Sequence, residues 1–145
     1  MIYKAKVTDS YIVAQLAIKL WEHHDISSLH KEFIDIINNK NNAVYLYVID
    51  NKPIGFAQCS LRFDYVEGTS STPVGYLEGI YIDEEYRRNG YAKALVQACE
   101  QFSKENGAKE FASDCELNNL ESLQLHLKLG FIEVNRIRCF NKKIN

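Results

Sequence analysis

The stretch YIDEEYRRNGYA, residues 81–92, decides the fold of this chain. It predicts the end of a strand, then a polar turn, then a helix that starts at Gly90. The start of a helix exposes unpaired N–H groups and carries partial positive charge, so it is a good site for phosphate. Gly90 and Ala92 are small enough for a phosphate to approach the backbone closely. Arg87 and Arg88 add positive charge beside it.

Two interpretations of this loop are open from the residues alone. In the first, Asn89 and Gly90 form only a turn, and the neighbouring arginines belong to a solvated surface. In the second, the loop binds phosphate, which its position between a strand and a long helix favours. A nucleotide-binding P-loop is excluded, because no Gly-Lys-Ser or Gly-Lys-Thr follows.

Hydrophobic periodicity on either side of the loop predicts an α+β fold with the element order β-α-α-β-β-β-α-β-α-β-β. Strands are predicted at residues 2–7, 43–49, 54–65, 74–82 and 109–113, with a final pair within 131–144. Four helices are predicted. The first starts after the capping residues 8–10 and ends near residues 21–25, and the second starts after the caps Ser27 and Ser28 and ends at the loop 38–42. The third and fourth span residues 90–106 and 119–129.

Composition limits the class of protein. The chain has 145 residues, of which 46% are hydrophobic and 25% charged, as expected for one globular domain over residues 1–145. Its formal net charge of -2 gives no basic surplus for binding nucleic acid. No long apolar run is present, so we expect neither a signal peptide nor a membrane span, and we expect a cytoplasmic protein. The cysteines and histidines lack ligand spacing, so no metal site is expected.

Two motifs resemble those of the GNAT superfamily of N-acetyltransferases. RRNGYA at 87–92 resembles the Q/R-x-x-G-x-G/A signature that holds the pyrophosphate of coenzyme A. NLESLQLHLKLGF at 119–131 resembles the superfamily's N-x-x-A-x-x-x-Y-x-x-x-G-F helix. The resemblance implies a mixed, mostly antiparallel sheet flanked by helices, with acetyl-CoA as cosubstrate. It assigns binding of acetyl-CoA to Ile80, Tyr81, Ile82, Arg87, Arg88, Asn89, Gly90, Tyr91, Ala92 and Asn119. The first three lie in the strand that a bulge splays from its neighbour in this superfamily, which exposes backbone N–H groups to the thioester.

The helix motif departs from the superfamily pattern at two positions. Ser122 replaces the usual Ala, and His126 stands where the pattern more often has Tyr, the residue thought to protonate the departing CoA thiolate. Histidine can perform that step because its charge changes near neutral pH. The alternative is that His126 only makes a structural contact on its helix face.

Two carboxylates are the candidates for binding an ammonium group. Glu78 lies in the middle of the strand at 74–82, where an ionised carboxylate is costly unless it is paired. Either a cleft for a cationic substrate or a partner Arg or Lys would explain it. Asp114 closes the neighbouring strand, and it either accepts a proton from the substrate or caps the following turn. Whether Glu78 acts as a base or only as an anchor is open.

Longer strings resemble the aminoglycoside 6′-N-acetyltransferases. They are LRFDYVEGT at 61–69, PVGYLEGIY at 73–81, EFASD at 110–114 and FNKKI at 140–144. This resemblance implies a polycationic aminosugar as acceptor, acetylated on its 6′ amine. It places Trp21, Tyr65, Glu78, Asp114 and Asn135 along the acceptor pocket, with Asn135 where relatives can have an acidic residue.

Two other functions fit the superfamily motifs. One is an N-acetyltransferase that acts on a polyamine or a protein amine, because the phosphate loop binds only the cosubstrate and does not indicate which amine is acetylated. The other is a non-catalytic module that binds acyl-CoA, which a degraded site would favour. The apolar residues in the C-terminal stretch 131–144, together with the resemblance, predict a homodimer.

Overall fold

A five-stranded sheet and four α-helices form the computed structural model, which describes residues 1–145. The strands are β1 (Ile2–Lys4), β2 (Asn42–Ile49), β3 (Lys52–Arg62), β4 (Val74–Ile82) and β5 (Phe111–Ala112). The helices are α1 (Ser10–Leu20), α2 (Ile26–Asn38), α3 (Tyr91–Glu105) and α4 (Leu120–Lys128). Short 3-10 turns lie at Val7–Asp9 and Glu84–Tyr86. The order agrees with the predicted order as far as α4.

The strands lie side by side in chain order, from β1 to β5. Each is antiparallel to the next except for β4 and β5, which are parallel and are connected by α3. The predicted mixed, mostly antiparallel sheet is therefore confirmed. The β4–β5 pairing covers only Gly75 with Phe111 and Tyr76 with Ala112, so the two strands separate after Tyr76.

Helices cover both faces of the sheet, which explains why the central strands are apolar on both sides. On one face α3 packs Leu95, Cys99 and Phe102 against a layer that includes Ala57 and Leu77. On the other face α1 and α2 form a second apolar layer with β2 and β3, whose buried members include Val13, Leu16, Leu29, Phe33, Val44, Leu46 and Phe56. Burying these two layers provides the main stabilisation of the fold.

Several predicted boundaries change for local reasons. The first strand ends at Lys4 instead of residue 7, because the Lys6 N–H bonds to the Asp9 carboxylate 2.8 Å away and starts a 3-10 turn. Helix α2 is capped by Asp25, which accepts a hydrogen bond from the Ser28 N–H at 3.1 Å, and not by Ser27 or Ser28. Strand β3 stops at Arg62, and β5 is shortened to two residues.

The predicted pair of strands within 131–144 is not formed. Residues 131–145 contain no helix or strand, and most of them are exposed. The exposed fractions of Ile132, Phe140 and Ile144 are 82%, 90% and 95%. The alternating apolar residues therefore have no partner strand within the chain. Among the helices, none has the length and apolar character needed to cross a membrane.

Candidate functional site

A bulge in β4 marks the point from which the site is built. Gln58 of β3 pairs with Gly79, but the next residue, Cys59, pairs with Leu77, so Glu78 has no partner across the ladder. On its other side β4 has no neighbour beyond Tyr76, because β5 has ended. That edge of β4 therefore has no partner strand, and Ile80, Tyr81 and Ile82 of the sequence prediction lie on this segment.

The carboxylate of Glu78 is held by a guanidinium group. Arg62 Nη2 lies 2.8 Å from Oε1, Arg62 Nε lies 3.1 Å from Oε2, and the Ser60 hydroxyl donates to Oε2 at 2.5 Å. Of the two explanations left open for Glu78, the partner Arg or Lys is present as Arg62, while the Glu78 side chain keeps 24% of its surface exposed. Burial lowers the pKa of Arg62, but its hydrogen bonds to Glu78 and the charge of that residue outweigh burial and raise it.

Asp114 is joined to the same group of side chains through Tyr76. The buried Tyr76 hydroxyl donates a hydrogen bond to Asp114 Oδ2, and the Arg62 guanidinium stacks 3.5 Å from the centre of the Tyr76 ring. Burial, followed by the hydrogen bond to Asp114, raises the pKa of Tyr76. Tyr76 therefore stays a neutral donor at physiological pH. The carboxylate cluster, by which we mean Arg62, Tyr76, Glu78 and Asp114, contains two negative charges and one positive charge.

Trp21 forms a wall beside this cluster. It lies at the end of α1, and its ring is stacked on Phe33 and edge-on to Phe56. The same ring covers Gly79, where a Cβ atom would come within 2.7 Å of the indole. The missing side chain at Gly79 thus lets the indole reach the strand next to Glu78.

His126 lies on α4, and its side chain faces the residue that follows β5. Its Nδ1 is 2.7 Å from the carbonyl oxygen of Ser122, which can only accept, so Nδ1 carries the proton in the neutral ring. Nε2 therefore accepts from the Ser113 hydroxyl 2.7 Å away. The Ser113 hydroxyl is also 3.3 Å from the carbonyl oxygen of Leu77 on β4. His126 thus reaches the separated strands through Ser113.

The loop before α3 leads into a helix start that no side chain caps. Arg88 and Gly90 both have left-handed backbone, with φ of 66° and 80°. Such a backbone pattern creates anion-binding nests, and no side chain caps the start of α3. A Cβ built at Gly90 would meet no atom within 4 Å, so the space in front of the loop is open. These features fit a pyrophosphate group.

The remaining side chains predicted to bind the cosubstrate mostly shape this loop. Arg87 donates from Nε to the Ile82 carbonyl at 2.8 Å, and Asn89 donates to the Tyr86 carbonyl at 3.0 Å. Arg88 is exposed and free to contact a phosphate. Tyr91 and Ala92 begin α3, and the ring centre of Tyr91 lies 4.5 Å from that of Tyr47. Asn119 caps a different helix, α4, since its Oδ1 accepts a hydrogen bond from the Ser122 N–H at 3.0 Å.

Two predicted acceptor residues lie elsewhere in the single chain. Tyr65 belongs to the loop after β3 and is 76% exposed. Asn135 donates a hydrogen bond to Glu67 of that loop at 2.6 Å. The structure thus brings Trp21, Glu78 and Asp114 to the separated strands, whereas Tyr65 and Asn135 lie on or against the loop at 63–73.

Four residues of the site were given no role by the sequence interpretation: Ser60, Arg62, Tyr76 and Ser113. Alternation along the strands offered a signal for three of them. Side chains two residues apart on a strand share a face, so Ser60 and Arg62 lie together, and Tyr76 precedes Glu78 by two. The contact between Ser113 and His126 joins separate elements and had no such signal.

The chain matches the model of the acetyltransferase (GNAT) family over residues 10–131. It is 38% identical over 131 residues to an aminoglycoside N(6')-acetyltransferase type 1 of Acinetobacter haemolyticus, with 90% of each chain covered. It is 37% identical over 141 residues to the enzyme of that name from Acinetobacter baumannii, with 95% of this chain and 96% of the relative covered.

Solved structures share the whole fold. AAC(6')-Iy in complex with the bisubstrate analog CoA-S-monomethyl-acetylneamine aligns with a TM-score of 0.94 at 32% identity, covering 99% of this chain and 98% of that chain. The aminoglycoside 6'-N-acetyltransferase AAC(6')-Ih from Acinetobacter baumannii aligns with a TM-score of 0.93 at 35% identity, covering 100% and 99%.

Proposed function

Because this chain belongs to the acetyltransferase (GNAT) family, we propose that it acetylates the 6′ amine of aminoglycoside antibiotics with acetyl-CoA and so confers resistance to them. The observation that carries this proposal is the pair of carboxylates, Glu78 and Asp114, where β4 and β5 separate. Carboxylates bind ammonium groups through charge-assisted hydrogen bonds, and an aminoglycoside carries several ammonium groups. The names of the relatives support this acceptor over other amines.

Acetyl-CoA is the cosubstrate of this enzyme. We assign its pyrophosphate to the N–H groups around Gly90 at the start of α3, with Arg88 at the rim. The free edge of β4 from Ile80 to Ile82 runs towards this loop and supplies backbone donors for the pantetheine and thioester. Donors held in place by a strand stabilise the negative charge that develops on the thioester oxygen.

The acceptor amine needs an anchor and a group that takes its proton. Both oxygens of Glu78 already accept hydrogen bonds from Arg62 and Ser60, so Glu78 is better suited to hold an ammonium than to remove a proton. Asp114 accepts from Tyr76 on Oδ2 only, and its Oδ1 is available. We assign proton acceptance to Asp114, directly or through a water molecule. Trp21 provides an apolar face for a sugar ring.

The leaving thiolate needs a proton when the new C–N bond forms and the C–S bond breaks. We assign this proton to His126, which passes it to the sulfur through the hydroxyl of Ser113. When His126 is protonated, Nε2 donates to Ser113 Oγ, and Ser113 then donates onward. The serine hydroxyl lies beside Leu77, on the strand that is to hold the thioester.

The C-terminal stretch at 131–145 supports a homodimer. Its apolar side chains alternate along a segment without helix or strand and are exposed in one chain, which is unfavourable in water. A second copy of the chain is the partner that would cover them. We further propose that residues 1–145 act as one acetyltransferase domain and that the enzyme works in the cytoplasm.

Release of CoA, followed with a thiol-reactive dye, tests the proposed function. Neomycin and paromomycin are the acceptors, because neomycin carries an amine at the 6′ position and paromomycin a hydroxyl. We expect turnover with neomycin and little with paromomycin. Equal turnover with both would contradict the 6′ assignment. No turnover with either drug, but turnover with spermidine, would contradict the aminoglycoside assignment and favour a polyamine acceptor.

A further inference from the structure

The carboxylate that the acceptor needs is already occupied by a cation of the chain itself. Arg62 Nη2 lies 2.8 Å and 3.0 Å from the two oxygens of Glu78. The guanidinium is also stacked on the ring of Tyr76. An ammonium group that approaches Glu78 therefore meets an oriented ion pair instead of a free carboxylate.

This ion pair can open at little cost to the fold. The side chain of Arg62 is 43% exposed, and that of Glu78 is 24% exposed. An ion pair that water reaches on both sides contributes only modestly to folding stability, since water solvates the exposed part of each partner when they separate. Arg62 is also the last residue of β3 and is followed by the exposed loop that begins at Phe63, so its side chain has solvent to enter.

The charges in the cluster decide what would replace Arg62. With the guanidinium in place, Glu78 and Asp114 contribute two negative charges against one positive charge. If the guanidinium of Arg62 moves into solvent, the cluster keeps two negative charges that nothing compensates. An acceptor with several ammonium groups can then neutralise both carboxylates. An acceptor with a single ammonium would only exchange one cation for another.

We propose that Arg62 is an internal competitor of the substrate: it occupies Glu78 in the free enzyme, and an ammonium group of the acceptor displaces it. This inference rests on the proposed function, because it concerns the acceptor subsite of that same reaction. Arg62 is then a specificity-determining residue. It lowers the affinity of the enzyme for every cation whose own contacts in the cluster do not compensate for those that Arg62 loses.

Trp21 offers a binding readout that does not depend on turnover. It is the only tryptophan of the chain, and it lies against Gly79 beside Glu78. Its fluorescence can be followed while neamine is added in the absence of acetyl-CoA. We expect Arg62→Met to bind neamine about threefold to fivefold more tightly than the unaltered enzyme, the gain that release of an exposed ion pair allows. Lys40→Met removes a charge from an exposed loop and should leave the Kd unchanged.

A double substitution separates displacement from simple repulsion. If Arg62 acts by occupying Glu78, then Arg62→Met gives no gain in affinity in a Glu78→Gln background, because the carboxylate is gone. An equal gain in both backgrounds would mean that Arg62 only repels cations and would overturn the inference. Unchanged or weaker binding by Arg62→Met would also overturn it.

A second variant guards against a folding defect in Arg62→Met. Arg62→Lys keeps the charge but not the two-pronged contact, so its Kd should lie between those of Arg62→Met and the unaltered enzyme. A Kd equal to or above that of the unaltered enzyme would count against the inference. Neamine binding with the expected pattern but without acetylation would contradict the proposed function and not this inference. Acetylation of neamine, together with the same Kd for neamine in Arg62→Met and in the unaltered enzyme, would contradict this inference alone.

Discussion

Among single residues, His126 and Ser113 form the contact that most depends on this particular sequence. The superfamily pattern more often has tyrosine at the position of His126, and a tyrosine hydroxyl would extend further than an imidazole. Ser113 connects His126 to strand β4, since its hydroxyl lies 2.7 Å from His126 Nε2 and 3.3 Å from the Leu77 carbonyl. The pair can therefore deliver a proton to the separated strands through the Ser113 hydroxyl.

Replacing His126 tests this assignment. His126→Gln keeps a polar atom close to Ser113 but cannot carry a proton, so we expect kcat with acetyl-CoA and neomycin to fall by about 10²-fold or more. Ser113→Ala should lower kcat in the same way, and the KM for neomycin should be nearly unchanged in both variants. Steady-state kinetics at saturating neomycin would measure this.

Ser122→Ala is the matched control for His126→Gln. The substitution removes a hydroxyl 3.3 Å from His126 Nδ1 but retains the backbone carbonyl at 2.7 Å that orients the ring, so kcat should stay near that of the unaltered enzyme. If His126→Gln retained normal kcat, the role of His126 as an acid would be contradicted.

The sequence allowed part of the site to be predicted at this scale. Trp21, Glu78 and Asp114 were expected at the acceptor pocket, and the structure brings them to the point where β4 and β5 separate. The partners that hold the two carboxylates, Arg62 and Tyr76, were not assigned. Such partners depend on strand register, and the bulge at Glu78 shifts the register by one residue in a way that residue types do not reveal.

Among the elements, the loop and helix start at 87–92 were predicted most accurately. Helix α3 begins at Tyr91, one residue after the predicted Gly90, and the glycine is its N-cap. The signal was strong because a positive φ favours glycine and because a long amphipathic helix follows. The length of strand β5 was overestimated, since residues 109–113 were predicted as a strand but only Phe111 and Ala112 pair.

Gly90 and Gly107 allow the loop to be tested against a matched glycine. They flank α3, have φ of 80° and 92°, and have no atom within 4 Å of a built Cβ. Alanine at either position should lower the free energy of unfolding by about 1 to 2 kcal/mol, because L residues disfavour this conformation. Only Gly90→Ala should raise the KM for acetyl-CoA, since it alone alters the loop that faces the pyrophosphate.

Urea unfolding and steady-state kinetics on both variants would measure these effects. An equal rise in the KM for acetyl-CoA in Gly90→Ala and Gly107→Ala would show that the effect is general loss of stability. The phosphate assignment would then be contradicted.

For the whole molecule, the C-terminal stretch is where sequence pattern and single-chain structure differ. Its alternating apolar residues predict two strands, but residues 131–145 form no strand pairing within one chain. Strand pairing depends on a neighbouring edge and not on the strand's own residues, so alternation alone cannot say which chain provides that edge. The same stretch holds Asn135, which donates a hydrogen bond to Glu67 within one chain, and its place at the acceptor pocket stays a prediction.

The mass in solution tests whether a second copy covers this stretch. Light scattering at micromolar concentration should give the mass of two chains. Phe140→Asp places a charge on a side chain that is 90% exposed in one chain and should give a monomer, because the charge cannot be buried at an apolar interface. Asn141→Asp adds the same charge at the neighbouring position and should remain a dimer. A monomer mass for the unaltered protein would contradict the proposal.

The position of the acetyl group on the product tests the central claim most directly. Neomycin is converted with acetyl-CoA, and the purified product is assigned by two-dimensional NMR. We predict one acetyl group, attached to the 6′ nitrogen. An acetyl group on any other amine of the drug would contradict the 6′ assignment, and unmodified neomycin would contradict the proposed function itself.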